Sequence, residues 1–181
     1  MIYLVSACLL GENCKYSGGN NQNQGVLDFC LKAEDGNDWV VPVCPETMGG
    51  LSSPRAPSEI QGGDGGDVLA GRARVVSETG EDLTEAFLQG ANCVLEAAHR
   101  IARLEESLEE DVEGAVQPIS GMTGIFKANS PSCGCGSIYD GTFSRKKRPG
   151  DGVAAALLKA HGIPVYTEND LPFPARDEKD F

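Results

Sequence analysis

The sequence predicts an α/β fold of three layers, Rossmann-like, with a mainly parallel sheet in a single domain. Three observations predict it. Apolar strand-like runs alternate with segments of helical spacing, the pattern of strand–helix–strand units. The length of 181 residues suits one core. Hydrophobic residues make up 40% of the chain, ordinary for a globular fold, and no internal repeat breaks it into smaller units.

The elements follow in chain order. Residues 2–7 are an apolar run and read as the first strand, with Cys8-Leu9-Leu10-Gly11 as the turn after it. Residues 20–25 are polar loop, and 26–33 have helical spacing. Residues 39–43 read as a second strand, interrupted at Pro42 and ending at Cys44-Pro45. Residues 49–66 carry glycine and proline throughout, so they read as a long irregular loop, which in a compact domain is usually functional. From 82 to about 109, Phe87, Ala91, Val94, Leu95, Ala98 and Ile101 keep one face of a helix. The acidic run 105–113 ends or interrupts that helix. Residues 115–119 and 124–128 are strand candidates, 152–161 a helix and 164–167 a last strand. The domain then spans 1–168, and residues 169–181, polar with Pro172 and Pro174, form a peripheral tail.

Charge and cysteine content narrow the function classes. The net charge of -12 repels phosphate backbones and disfavours nucleic-acid binding. Arg145-Lys146-Lys147-Arg148 is the contrary feature. It reads as a solvated loop, with a local steering patch for an anionic substrate as the alternative. No stretch is apolar enough to span a membrane. The first ten residues enter strand-like sequence without a basic region and cleavage site, so a cytoplasmic location is expected. Stable disulfides are uncommon there, and seven cysteines is an odd number for a disulfide framework. Cysteines at turns then read as metal ligands or reactive thiols.

Cys8, Cys44 and Cys133 share one setting: each follows a strand. In parallel sheets ligands bind beyond the carboxyl ends of the strands, so the fold brings these three thiols to one edge. Gly11, Pro45 and Gly134 lie beside them and let backbone amides approach a cluster's sulfurs. Cys30 and Cys93 sit in apolar helical patterns and read as small buried hydrophobes. Cys14 is close to Cys8 and reads as a spare thiol. Cys135 forms C-x-C with Cys133, and spacing alone does not choose between them. Nor does it choose zinc over iron–sulfur, since no C-x-x-C pair is present. His99 and His161 fall on helices and are not assigned to metal.

Several ordered motifs carry a resemblance. Ser6-Ala7-Cys8-Leu9-Leu10-Gly11, Cys44-Pro45-Glu46, Gly49-Gly50-Leu51 and Pro54-Arg55-Ala56-Pro57-Ser58-Glu59-Ile60 are similar to the bacterial 2-thiouracil desulfidase family. Ser130-Pro131-Ser132-Cys133-Gly134, Ile138-Tyr139-Asp140-Gly141-Thr142-Phe143 and Gly152-Val153 match it too, so the resemblance covers residues 2–168. It implies an α/β fold holding a [4Fe-4S] cluster on three cysteines, which by motif position are Cys8, Cys44 and Cys133, with one iron left open. It implies Glu46 and Ser130 as the active-site pair. The expected reaction is non-redox desulfuration of a thiolated heterocycle such as 2-thiouracil, with Glu46 activating water, Ser130 relaying a proton or stabilising charge, and sulfide released. Between Ala98 and Phe126 the chain is longer than the family's pattern, and that segment is a candidate pocket wall.

Arg55 and Glu59 are expected to brace each other, with Arg55 facing substrate as the alternative, and Asp140 to set its turn with Gly141. Rival classes are a fully ligated iron–sulfur electron-transfer or sensor protein, with Cys14 or Cys135 as fourth ligand, a zinc protein, and a sulfur-handling enzyme acting on tRNA.

Overall fold

The computed structural model describes residues 1–108 and 121–173, the side chains of 105–108 excepted. Its centre is a four-stranded parallel sheet built from β1 (Ile2–Ser6), β2 (Trp39–Val43), β5 (Met122–Phe126) and β8 (Val165–Thr167), in the order β2-β1-β5-β8. Helix α1 (Gln24–Asp35) follows β1, and α4 (Thr84–Leu108) and α5 (Val153–Ala160) complete the layers.

Side-chain alternation along the strands builds two cores, because successive residues point to opposite faces. Ile2, Leu4, Met122 and Phe126 pack into the larger core with Phe87, Ala91, Val94, Leu95 and Ala98 of α4 and Val153, Ala154, Ala155 and Leu158 of α5. Val5 and Ile125 face the other way and pack with Leu9 and with Val26 and Cys30 of α1. The α4 face is thus the one its 3.6-residue spacing predicts. Leu171 and Phe173 pack partly buried on the second core, and the Phe173 ring meets Phe29 edge-on at 4.8 Å.

Pro42 does not interrupt β2. The strand lies at the sheet edge, where a missing ladder donor is tolerated. The strand expected at 124–128 runs from Met122 instead, because Met122 shares a face with Phe126.

The stretch 49–66 is not irregular throughout. Ser58–Gln61 (β3) pairs antiparallel with Arg74–Ser77 (β4), and α3 (Gly65–Leu69) lies between them. Polar Ser58, Glu59 and Gln61 hide this strand from a hydrophobicity reading. A second antiparallel pair, β6 (Ser137–Tyr139) with β7 (Lys147–Pro149), takes up half of the basic run read as loop. The remaining element, α2 (Pro45–Met48), follows β2 directly. The strand expected at 115–119, the end of the acidic run and the tail beyond 173 lie outside the described residues.

Two close approaches place the segments that carry chemistry. Helices α2 and α4 touch through backbone: a Cβ on Gly90 would lie 1.9 Å from the Pro45 carbonyl oxygen. The loop 130–134 is clasped by the start of α5. There the amides of Val153 and Ala154 donate to the carbonyls of Pro131 and Ser132, each at 2.9 Å. These first-turn amides have no intrahelical acceptor, and the loop carbonyls supply one.

Candidate active site

Because β1, β2 and β5 are parallel neighbours, their carboxyl ends open at one edge. Cys8 leaves β1 on a short 3-10 helix, Ala7–Leu10, and Cys44 leaves β2 as the residue before α2. Cys133 follows β5 through the clasped loop. All three line a single cavity of about 560 Å³, together with Glu46 and Ser130. The structure therefore brings together every site residue expected from the sequence.

Cys133 and Cys135 part company. Cys133 is buried at the cavity wall, whereas the Cys135 thiol donates to the Val165 carbonyl at 3.0 Å and does not line the cavity. Cys14 is buried and lines the same cavity as Cys8 and Cys44, and the Cys44 thiol donates to the Cys14 carbonyl at 4.0 Å.

The thiols are differentiated by their partners. The Cys14 hydrogen bond lowers the Cys8 pKa against the opposing effect of burial, helped by Asn21, whose amide donates to Cys8 Sγ at 3.7 Å. Cys44 is pushed down to about 6, first by Cys14 and then by Thr47. Cys14, the donor to both, is held well above the usual thiol range. Burial pushes Cys133 up to about 12, while the Ser6 and Ser132 hydroxyls pull the other way. A thiolate is the form that ligates metal, and the shifts at Cys8 and Cys44 run toward it.

A polar chain runs beside the thiols. Arg55 Nε and Nη2 donate to Glu46 Oε2 at 2.8 and 2.5 Å. The other carboxylate oxygen accepts from the Ser132 hydroxyl at 2.9 Å. Ser132 Oγ lies 3.0 Å from Ser130 Oγ, and the amides of Ser132 and Cys133 both donate to Ser130 Oγ at 3.2 Å. Ser132 Oγ also reaches Cys133 Sγ at 3.6 Å. Ser132 is thus the link between Glu46 and Ser130. It stands inside the Ser130-to-Gly134 motif, but nothing in the sequence distinguished its role from its neighbour's.

Arg55 and Glu59 do not brace each other. Arg55 pairs with Glu46, while Glu59 Oε2 accepts the amides of Gly141 and Phe143 at 2.9 and 3.0 Å and so ties down the loop after β6. Asp140 does set its turn, accepting from the Thr142 amide at 3.1 Å. Lys127 lines the cavity and pairs with Glu168. Arg145 of the basic run reaches the cavity too, whereas Arg148 Nη1 donates to the Gly63 carbonyl at 3.2 Å. The cavity wall carries Lys15, Arg55, Lys127 and Arg145 against Glu46, Glu59 and Glu78. In a strongly acidic chain, that balance suits a neutral or anionic ligand. His161 Nδ1 lies 2.9 Å from the Leu157 carbonyl oxygen, and neither histidine lines the cavity.

Residues 3–170 match the 2-thiouracil desulfurase family. The chain belongs to that family. Protein YbbK of Bacillus subtilis (strain 168), itself uncharacterized, is 42% identical over 168 residues, which is 93% of this chain and 96% of YbbK. Among solved structures, the [4Fe-4S]-dependent thiouracil desulfidase TudS superposes with a TM-score of 0.70 at 34% identity, over 95% of this chain and 92% of that one. Family membership covers both the α/β fold and the enzyme class expected from the motifs. No described helix is long and apolar enough to cross a membrane.

Proposed function

We propose that the protein removes sulfur from a thiolated heterocycle such as 2-thiouracil by non-redox exchange of sulfur for the oxygen of water. The observation that carries this reading is the joining of two sets of groups in one cavity. Cys8, Cys44 and Cys133 arrive from three strand ends, and the Glu46–Ser132–Ser130 chain lies against Cys133.

The donor set fits an iron–sulfur cluster. It is all thiol, which matches soft iron–sulfur centres, and hydrogen bonds already reach Cys8 and Cys133 as they do around cluster sulfurs. Among the described residues no three His, Cys, Asp or Glu side chains converge as ligands of one ion must. Thiolates that each hold a different iron need not converge. Cys8, Cys44 and Cys133 would hold a [4Fe-4S] cluster, which would supply a soft Lewis acid for a thiocarbonyl sulfur.

The chain's own residues do the rest. Glu46 takes a proton from water through Oε1, because Arg55 occupies Oε2. The Ser132 hydroxyl, hydrogen-bonded to both, passes protons between Glu46 and Ser130. Ser130 is fixed by two backbone amides and presents its hydroxyl to the ring. The balance is C=S plus water giving C=O plus hydrogen sulfide, with no electron transferred and no nicotinamide or flavin needed.

The test is anaerobic reconstitution with iron and sulfide, followed by assay of sulfide and uracil from 2-thiouracil. Equal amounts of both are expected. Cys8→Ala, Cys44→Ala and Cys133→Ala should lose the brown cluster absorbance while Cys135→Ala keeps it. Full turnover by Glu46→Ala would remove Glu46 from the proton path, and no sulfide from a fully loaded protein would refute the activity.

A further inference from the structure

Backbone strain gathers around the cavity. Among the described residues, Asn37, Asn129, Phe143 and Arg145 are the non-glycine residues with a left-handed φ, and all but Asn37 line the cavity. Asparagine tolerates that region. A bulky residue there is an outlier, and such outliers cluster at ligand clamps. Phe143, at a φ of 57°, is the bulky apolar one.

Its loop is fixed in that shape. Glu59, 8% exposed, accepts the amides of Gly141 and Phe143 on one carboxylate oxygen. Gln61 Nε2 donates to the Gly141 carbonyl at 3.2 Å. Gly141 lies so close to β3 that a Cβ on it would sit 2.4 Å from the Ile60 carbonyl oxygen. A buried carboxylate and a neighbouring strand therefore hold Phe143 in a conformation that costs folding free energy. Packing does not account for it: Phe143 belongs to neither hydrophobic core, and among the described residues no other aromatic ring lies against it. The other cavity aromatics are engaged. Tyr16 has the Lys15 ammonium 5.5 Å from its ring centre, and Tyr139 stands in the β6–β7 ladder.

We propose that Phe143 determines specificity: its ring stacks on the flat face of the heterocycle and selects planar conjugated rings over puckered or open-chain thioamides. The inference rests on the desulfuration reading above for the nature of the ligand. Stacking requires a flat π face on both partners, so a saturated ring with the same carbonyl and N–H groups loses it. A ring held in place beforehand also spares the ordering cost at binding.

The probes are uracil and dihydrouracil, which share their polar groups and differ in ring planarity. Each is titrated into anaerobic loaded protein and followed by ligand-observed NMR. Wild type should prefer uracil by about tenfold, within the range for a base stacked on an aromatic side chain. Phe143→Leu keeps apolar bulk without a flat face. Phe143→Gly removes the ring and accepts the left-handed φ freely, so it reads the same property if leucine impairs folding. Both variants should bring the two probes within about twofold of each other, and Phe143→Tyr should restore the preference. In turnover of 2-thiouracil, Phe143→Leu should raise KM about tenfold with kcat within about twofold, the mark of binding lost equally from ground and transition states. A preference kept by the leucine and glycine variants, or absent from wild type, would overturn the assignment. Equal weakening of both probes would make Phe143 a loop-packing residue and overturn it too. Sulfide release with no uracil preference would sink the stacking alone. A preference that tracks Phe143 in a protein releasing no sulfide would uphold the stacking and sink the desulfuration.

Discussion

Replacing Arg55 with methionine isolates the ion pair that holds Glu46. The two side chains are 9% and 13% exposed, so water screens them little. Guanidinium and carboxylate are joined by two hydrogen bonds, at 2.8 and 2.5 Å, to one oxygen. For charges about 4 Å apart at an effective dielectric near 20, the attraction is about 4 kcal/mol. Desolvation offsets part of that in the intact pair. In Arg55→Met the Glu46 charge stays in place with only Ser132 donating to it. The expected loss is about 3 kcal/mol, the range seen when one member of a buried pair is removed. With a urea slope of about 2 kcal/mol per molar, the midpoint falls by about 1.5 M. The assay is urea unfolding of the thiol-reduced, cluster-free chain, followed by far-ultraviolet circular dichroism. Adding Glu46→Gln removes the stranded charge, so the double variant should recover at least about 1 kcal/mol of the loss. A single-variant loss under about 1 kcal/mol, the ceiling for exposed pairs, with no recovery in the double variant, would show that the pair does not hold Glu46.

The remaining predictions address the close contacts, the serine chain and the thiols. Gly90→Ala places a Cβ 1.9 Å from the Pro45 carbonyl oxygen, so α2 must move off α4; a cost of about 2 kcal/mol or more is expected, and calorimetry should show Tm falling by about 5 °C. Glu59→Gln weakens the acceptor of two amides at a buried position, and urea unfolding should show a loss of about 1–2 kcal/mol. Ser132→Ala should lower desulfuration about 100-fold, as loss of a proton-transfer group does. Because Ser130 lies on the same chain, Ser130→Ala/Ser132→Ala should be no slower than the slower single variant.

Thiol alkylation mapped by mass spectrometry on cluster-free protein tests the pH behaviour. Cys44, pushed down to about 6, should label at neutral pH and lose reactivity only as pH falls through about 6. Cys30, raised to about 11 by burial and then by Glu34, should resist labelling until strongly alkaline pH. The signs for stability are opposite. The depressed Cys44 contributes stability above the ordinary thiol pKa that is lost as pH falls toward 6. The raised Cys30 removes stability as pH climbs from the ordinary value toward 11, where the unfolded chain releases its proton first.

By itself the sequence determined the parallel α/β core and the identity of the chemical groups. Strands such as Ile2–Ser6 and helix Thr84–Leu108 bury whole faces, and burial leaves a period of 2 or 3.6 in the chain that is read without coordinates. It also put Cys8 and Cys44 after strands whose ends must share an edge. Tertiary structure alone decided which groups act on one another. The β3–β4 hairpin escaped the sequence because its polar residues earn their burial through partners distant in the chain, as Glu59 does with Gly141 and Phe143. Likewise Arg55 is only four residues from Glu59 but pairs with Glu46, nine residues away, since the chain turns between them. Cys133 and Cys135 are alike in spacing and composition; the clasp of α5 on residues 130–134 turns one thiol to the cavity and the other to the Val165 carbonyl. A hydrogen-bond partner and the direction of a side chain are properties of the assembled fold, and periodicity carries no record of them.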